Sequence, residues 1–121
     1  MFLRYCAKAA LVLIVVSVFA GASFAATAAQ NYHFYCAQCH GLEGRGDGPN
    51  ATRSQPVDPR DHTSAYEMNK LTDAEIIGAI TGGGAATSKS TLMPPFGKTL
   101  TKREIKDLKD YLRKLCKCKG K

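Results

Sequence analysis

Cys36-Ala37-Gln38-Cys39-His40 is the stretch on which the reading of this chain turns. Two thiols three residues apart can each reach one vinyl group on the same edge of a porphyrin. The residue that follows is then placed under the iron. A Cys-x-x-Cys-His run in an exported chain is the attachment signature of a c-type haem, with Cys36 and Cys39 as anchors and the His40 imidazole as proximal ligand. Two other chemistries use the same sulfurs. One is a redox dithiol; the other is a zinc site completed by Cys116 and Cys118. Neither accounts for the adjacent histidine or for Met93.

The N-terminus agrees with export independently of the motif. Arg4 and Lys8 form a basic start, Ala9 to Ala20 is small and apolar apart from Ser17, and Ser23-Phe24-Ala25 fits a small-x-small cleavage site. Residues 1–25 therefore read as a secretory signal peptide, and residues 26–121 as one domain. The alternative is an uncleaved anchor, since no charge occurs between Lys8 and Glu43. A domain this small usually needs a staple, which a covalent haem provides as apolar surface for short helices. The expected location is the periplasm or an equivalent extracytoplasmic compartment.

Charge is unevenly distributed. The chain has 17 Lys and Arg against 10 Asp and Glu. From Lys98 to Lys121 ten basic residues face only Glu104, Asp107 and Asp110, whereas residues 26–97 carry five basic residues and seven acids. A basic C-terminal segment beside a mildly acidic body makes the molecule dipolar and can orient it toward an acidic partner. The simpler reading is a solvated helix face with a basic tail. An exported chain without a recognisable nucleic-acid motif is a poor candidate for binding nucleic acid.

The pattern predicts short helices and no sheet. Residues 28–35 lead into the motif as a short helix with Tyr32, Phe34 and Tyr35 available for packing. Gly41 to His62 is loop chemistry, with Gly44, Gly46, Gly48, Pro49, Pro56 and Pro59. Thr72-Asp73-Ala74-Glu75 has capping-box form ahead of Ile76, Ile77 and Ile80, and Gly82-Gly83-Gly84 should end that helix. Thr101-Lys102-Arg103-Glu104 opens a last helix in which Ile105, Leu108, Leu112 and Leu115 recur at three- and four-residue spacing.

Met93-Pro94-Pro95-Phe96 lies between the triple glycine and that helix. A thioether is a soft ligand suited to haem iron, and two prolines stiffen the backbone that would present it. Met93 is thus the expected distal ligand rather than a gap-filling core residue. Met68 and His62 are the other ligand candidates, each weaker: Met68 falls in a polar stretch, and His62 reads as a partly buried loop histidine. His33 reads as a surface or packing residue.

Through CAQCHGLEGRGDGP, PRDHT, LTDAEIIGAITGGG, MPPFGKTLT and the final amphipathic helix, residues 28–115 resemble the class I c-type cytochromes, most of all small bacterial monohaem members. The resemblance implies thioether links at Cys36 and Cys39, proximal His40 and distal Met93. It also implies an all-α fold of three to four short helices around one haem c. The first and last helices would cross through Tyr32 or Tyr35 against Tyr111, with Pro49 near the proximal histidine. Where similar sequences tend to have an aromatic residue after Pro-Arg-Asp, this chain has His62.

A His–Met site has no open position, so the expected function is single-electron transfer with redox partner proteins and not catalysis. No catalytic triad or phosphate-binding loop is recognisable. A haem subunit of a larger redox complex is the second reading, and a gas-binding haem protein the third. Cys116 and Cys118 depart from the family pattern. Free thiols are uncommon in exported proteins, and residues two apart on a helix point to nearly opposite sides. A bond between them would need the helix end to unwind, so a disulfide to a partner chain or a second copy is the sharper expectation, with incidental exposed thiols as its alternative. A cysteine thiolate replacing Met93 at the iron is a further alternative.

Overall fold

Three threonines set where the longer helices begin. Thr27, Thr72 and Thr101 each accept a hydrogen bond from the backbone N–H three residues on, at 3.2 Å, and the Gln30, Glu75 or Glu104 side chain accepts from the threonine's own N–H at 2.7–2.8 Å. These reciprocal bonds satisfy donors that a helix start otherwise leaves open. The computed structural model describes residues 25–121; the expected signal segment therefore lies almost wholly outside the described residues.

In chain order the elements are α1 (Ala28–Tyr35), α2 (Ala37–His40), α3 (Ala65–Met68), α4 (Asp73–Gly82), a 3-10 turn (Ala85–Thr87) and α5 (Lys102–Cys116). No strand occurs among the described residues, so the all-α expectation holds. The expected helices appear as α1, α4 and α5. Single-turn α2 and α3 and the 3-10 turn are additional, too short to show a periodic pattern. α3 nevertheless has a cap: Ser64 accepts from the Glu67 N–H at 3.2 Å.

α5 is the organising helix. Ile105, Leu108 and Leu112 are 1–5 % exposed and form the core with Tyr32, Met68, Ile76 and Ile80. Each large apolar side chain so buried contributes about 1.5–3 kcal/mol. α1 crosses α5 with Tyr32 against Tyr111, ring centroids 5.2 Å apart, and Asn31 donating to Glu104 Oε1 at 3.4 Å. Tyr32, not Tyr35, makes the expected crossing contact. Tyr35 packs edge-on against Phe96 instead, at 5.6 Å.

α5 is tied to α4 by ion pairs. Lys109 Nζ and Arg113 Nε each lie 2.9 Å from an Asp73 carboxylate oxygen. Asp73 stands in the first turn of α4, where a carboxylate also complements the helix dipole. Among the described residues no helix is long and apolar enough to cross a membrane.

Candidate haem site

The helices leave a cavity of about 330 Å³, walled by Tyr32, Met68, Ile76, Ile80, Leu108 and Leu112 among others. Cys36, Cys39, His40 and Met93 all line it, so residues 57 positions apart in sequence share one apolar space. Burial pushes the Cys36 thiol up to about 12, with a smaller contribution from Cys39.

His40 ends α2, and its ring is oriented by the loop that follows. Its Nδ1–H donates to the Arg60 carbonyl oxygen at 2.9 Å. Because a carbonyl only accepts, this bond assigns the proton to Nδ1 and leaves the Nε2 lone pair for a metal. Burial, opposed by that bond, holds His40 below the ordinary histidine range and therefore neutral near pH 7. Arg60, next to Pro59, supplies the contact; Pro49 sits between Gly48 and Asn50, whose N–H groups donate to the Cys39 and Gln38 carbonyls at 3.1 and 2.8 Å.

His62 is buried and stacks on His40, centroids 4.1 Å apart and planes 18° from parallel. Its Nδ1 is hydrogen-bonded to the Tyr32 hydroxyl at 3.2 Å, and its backbone N–H donates to the Gly44 carbonyl at 2.6 Å. Burial first, and His40 next, hold it well below the ordinary range. The 59–62 segment is brought this close by Gly46, where φ is 77° and a Cβ would collide with the Pro59 carbonyl oxygen. Sequence reasoning missed the joint role of Arg60 and His62; the PRDHT run was the available signal.

The methionine segment is seated on the end of α4. The Gly84 N–H donates to the Met93 carbonyl at 3.0 Å, and Phe96 and Gly97 donate to the Ile80 and Thr81 carbonyls at 2.9 and 3.0 Å. Gly83 permits the approach, with φ 74° and ψ 179°. Met93 is half-buried, whereas Met68 is 1 % exposed and part of the core. Both line the cavity. His33 is exposed on α1.

The C-terminal cysteines correct an expectation. Cys116 and Cys118 are bonded to each other and not to a partner, which removes them from any four-sulfur zinc site with Cys36 and Cys39. The unwinding that such a bond requires takes place: α5 stops at Cys116 and Lys117 turns left-handed. The basic face of α5 is also smaller than its composition implies. Lys109 is only 8 % exposed and, like Arg113, is committed to Asp73.

The residues present fit a haem: two thiols, an imidazole and a thioether line one cavity together with apolar side chains. A helical domain closing such donors over an apolar cavity defines a haem-binding redox protein. The chain belongs to the cytochrome c family, whose model, Cytochrome c, matches residues 25–116. It is accordingly a haem-based electron-transfer protein of a family that carries haem covalently and generally works outside the cytoplasm.

Solved structures similar to this chain include the following two. One is described as "KustC0563 c-type cytochrome", 26 % identical, covering 74 % of this chain and 98 % of that one with a TM-score of 0.60. The other is a chain of the Kuenenia stuttgartiensis reducing HAO-like protein complex Kustc0457/Kustc0458, 32 % identical, with a TM-score of 0.57. That match covers 73 % of this chain and 40 % of that one. No curated protein matches in sequence.

Proposed function

We propose that this chain is a monohaem electron carrier of the periplasm and not an enzyme. Cys36 and Cys39 would hold the haem through thioether bonds, with His40 and Met93 as the side chains that would ligate its iron. The observation that carries this reading is the convergence of the four side chains on one cavity, with His40 Nδ1 already engaged and Nε2 left for iron. When bound, the haem supplies a one-electron ferrous–ferric couple. The protein's part is to fix the His40 tautomer through Arg60, to press His62 against the ring, to present a thioether, and to keep water away with Leu108, Ile76 and Ile80. The N-terminal signal pattern supports export.

Partners are redox proteins with acidic docking surfaces. Exposed Lys98, Lys102, Lys106 and Lys114 would supply the complementary charge in a brief encounter. A second reading, a haem subunit held in a larger redox assembly, is favoured by the likeness to a chain of the Kuenenia stuttgartiensis reducing HAO-like protein complex.

The test is spectroscopic. Haem should stay with the denatured protein through acid–organic extraction, and the ferric protein should show the weak near-infrared band of sulfur–iron coordination. Met93→Ala should abolish that band and admit CO, while Met68→Ala should leave it. Extractable haem, a wild type that binds CO readily, or loss of the band in Met68→Ala instead would overturn the assignment.

A further inference from the structure

The Cys116–Cys118 disulfide encloses a single residue, Lys117, in left-handed conformation with φ 50° and ψ 40°. Its two sulfurs differ in access. Cys116 is 4 % exposed and belongs to the core cluster; Cys118 is half-buried at its edge.

One residue stands over both. The Arg113 carbonyl oxygen lies 3.4 Å from Cys116 Sγ, and Arg113 Nη1 lies 3.7 Å from Cys118 Sγ. In the disulfide neither sulfur carries a proton or a charge, so neither contact reaches its full strength. After reduction both are matched: a Cys116 thiol donates to the carbonyl, and a Cys118 thiolate faces the guanidinium. The guanidinium is held there without help from the sulfurs. It donates to Asp73 Oδ1 at 2.9 Å, the Met68 carbonyl at 2.8 Å and the Leu71 carbonyl at 2.6 Å. Exposed Lys114, Lys117 and Lys119 add positive charge around the turn. Surroundings that stabilise the reduced pair make its disulfide an oxidant toward other thiols.

We propose that Cys116 and Cys118 form a reversible thiol–disulfide exchange site whose substrates are external thiols. An external thiolate attacks Cys118 Sγ, the accessible sulfur. A mixed disulfide forms there, the Cys116–Cys118 bond breaks, and Cys116 leaves, takes a proton and donates to the Arg113 carbonyl. A second external thiol attacks the outer sulfur of the mixed disulfide, releasing an external disulfide and leaving Cys118 beside the Arg113 guanidinium. Two external thiols are thereby oxidised to one disulfide, and the protein disulfide is reduced to two thiols.

The test uses the full exported protein, equilibrated in buffers of varied reduced-to-oxidised glutathione ratio, then alkylated and weighed by mass spectrometry. The pair should pass from closed to open within the accessible range of ratios. Arg113→Gln should require a ratio about tenfold more reducing, the equivalent of one unit in the Cys118 thiol pKa. Asp73→Asn, which removes the ion pair but leaves the guanidinium on its carbonyl partners, should not shift the ratio. With oxidised glutathione, Cys118 in Cys116→Ser should form an adduct faster than Cys116 in Cys118→Ser. A pair that stays closed at every ratio, or single-cysteine variants that react equally fast, would make the disulfide a fixed clasp and overturn the proposal.

Discussion

Gly83→Ala should detach the methionine segment from its seat while leaving the rest of the domain folded. Gly83 has φ 74° and ψ 179°, a region open essentially only to glycine. Placing alanine there costs about 1–3 kcal/mol in backbone conformation alone. The added Cβ would also stand 2.7 Å from the Met93 carbonyl oxygen and 2.9 Å from the Pro94 carbonyl carbon. The second distance is roughly 0.6 Å short of the 3.5 Å at which carbon atoms begin to pack favourably. Both neighbours are backbone stiffened by Pro94 and Pro95, so the segment must move as a body. Conformation and overpacking together give about 2–6 kcal/mol. At roughly 4–8 °C per kcal/mol for a domain of this size, Tm should fall by about 8 °C or more. The assay is thermal unfolding of the ferric holoprotein followed by circular dichroism, with the near-infrared sulfur–iron band recorded at low temperature. The band should weaken, because Met93 moves with its carbonyl. Gly78→Ala is the control. Gly78 lies inside α4 with no heavy atom within 4 Å of an added Cβ, so it should gain about 0.5–1 kcal/mol and keep the band. Equal Tm and equal band intensity in the two variants would refute the close-approach argument.

Two further outcomes test the charges. Lys109 and Arg113 hold the Asp73 carboxyl below the usual range, chiefly by direct hydrogen bonds. A carboxyl depressed in the folded state stabilises the fold above its unfolded pKa of about 3.9 and ceases to do so as pH falls through the lower folded value. Asp73→Asn should therefore lower Tm at neutral pH and flatten its decline in acid; an unchanged acid limb would remove Asp73 from that role. Reversing Lys98, Lys102 and Lys106 to Glu should slow electron transfer to an acidic partner at low salt and flatten its salt dependence, with the haem spectrum unchanged. Lys102 lies in the first turn of α5, where a carboxylate is tolerated. Stopped-flow rates across ionic strength check this, and a slope equal to wild type would make these lysines bystanders.

The sequence by itself determined the parts whose causes are local. Cys36, Cys39 and His40 are legible because their chemistry depends on spacing along a few residues. The starts of α4 and α5 are legible because Thr72 and Thr101 are capped within one turn, and α5 because a single stripe of Ile105, Leu108 and Leu112 faces the core. Met93 stood out through its prolines. Only the tertiary structure decided which groups meet across the loop from Gly41 to His62, where glycine and proline leave no period to read. There the Arg60 carbonyl and the His62 ring, twenty and twenty-two residues beyond His40, close on its imidazole. The same holds at the C-terminus. A helix extrapolated through Cys118 points the two cysteines apart, but Arg113 is anchored on Asp73, Met68 and Leu71, the helix stops at Cys116, and the left-handed turn at Lys117 brings the sulfurs together. Contacts of this kind are set by where distant backbone ends up, and no local pattern along the chain encodes them.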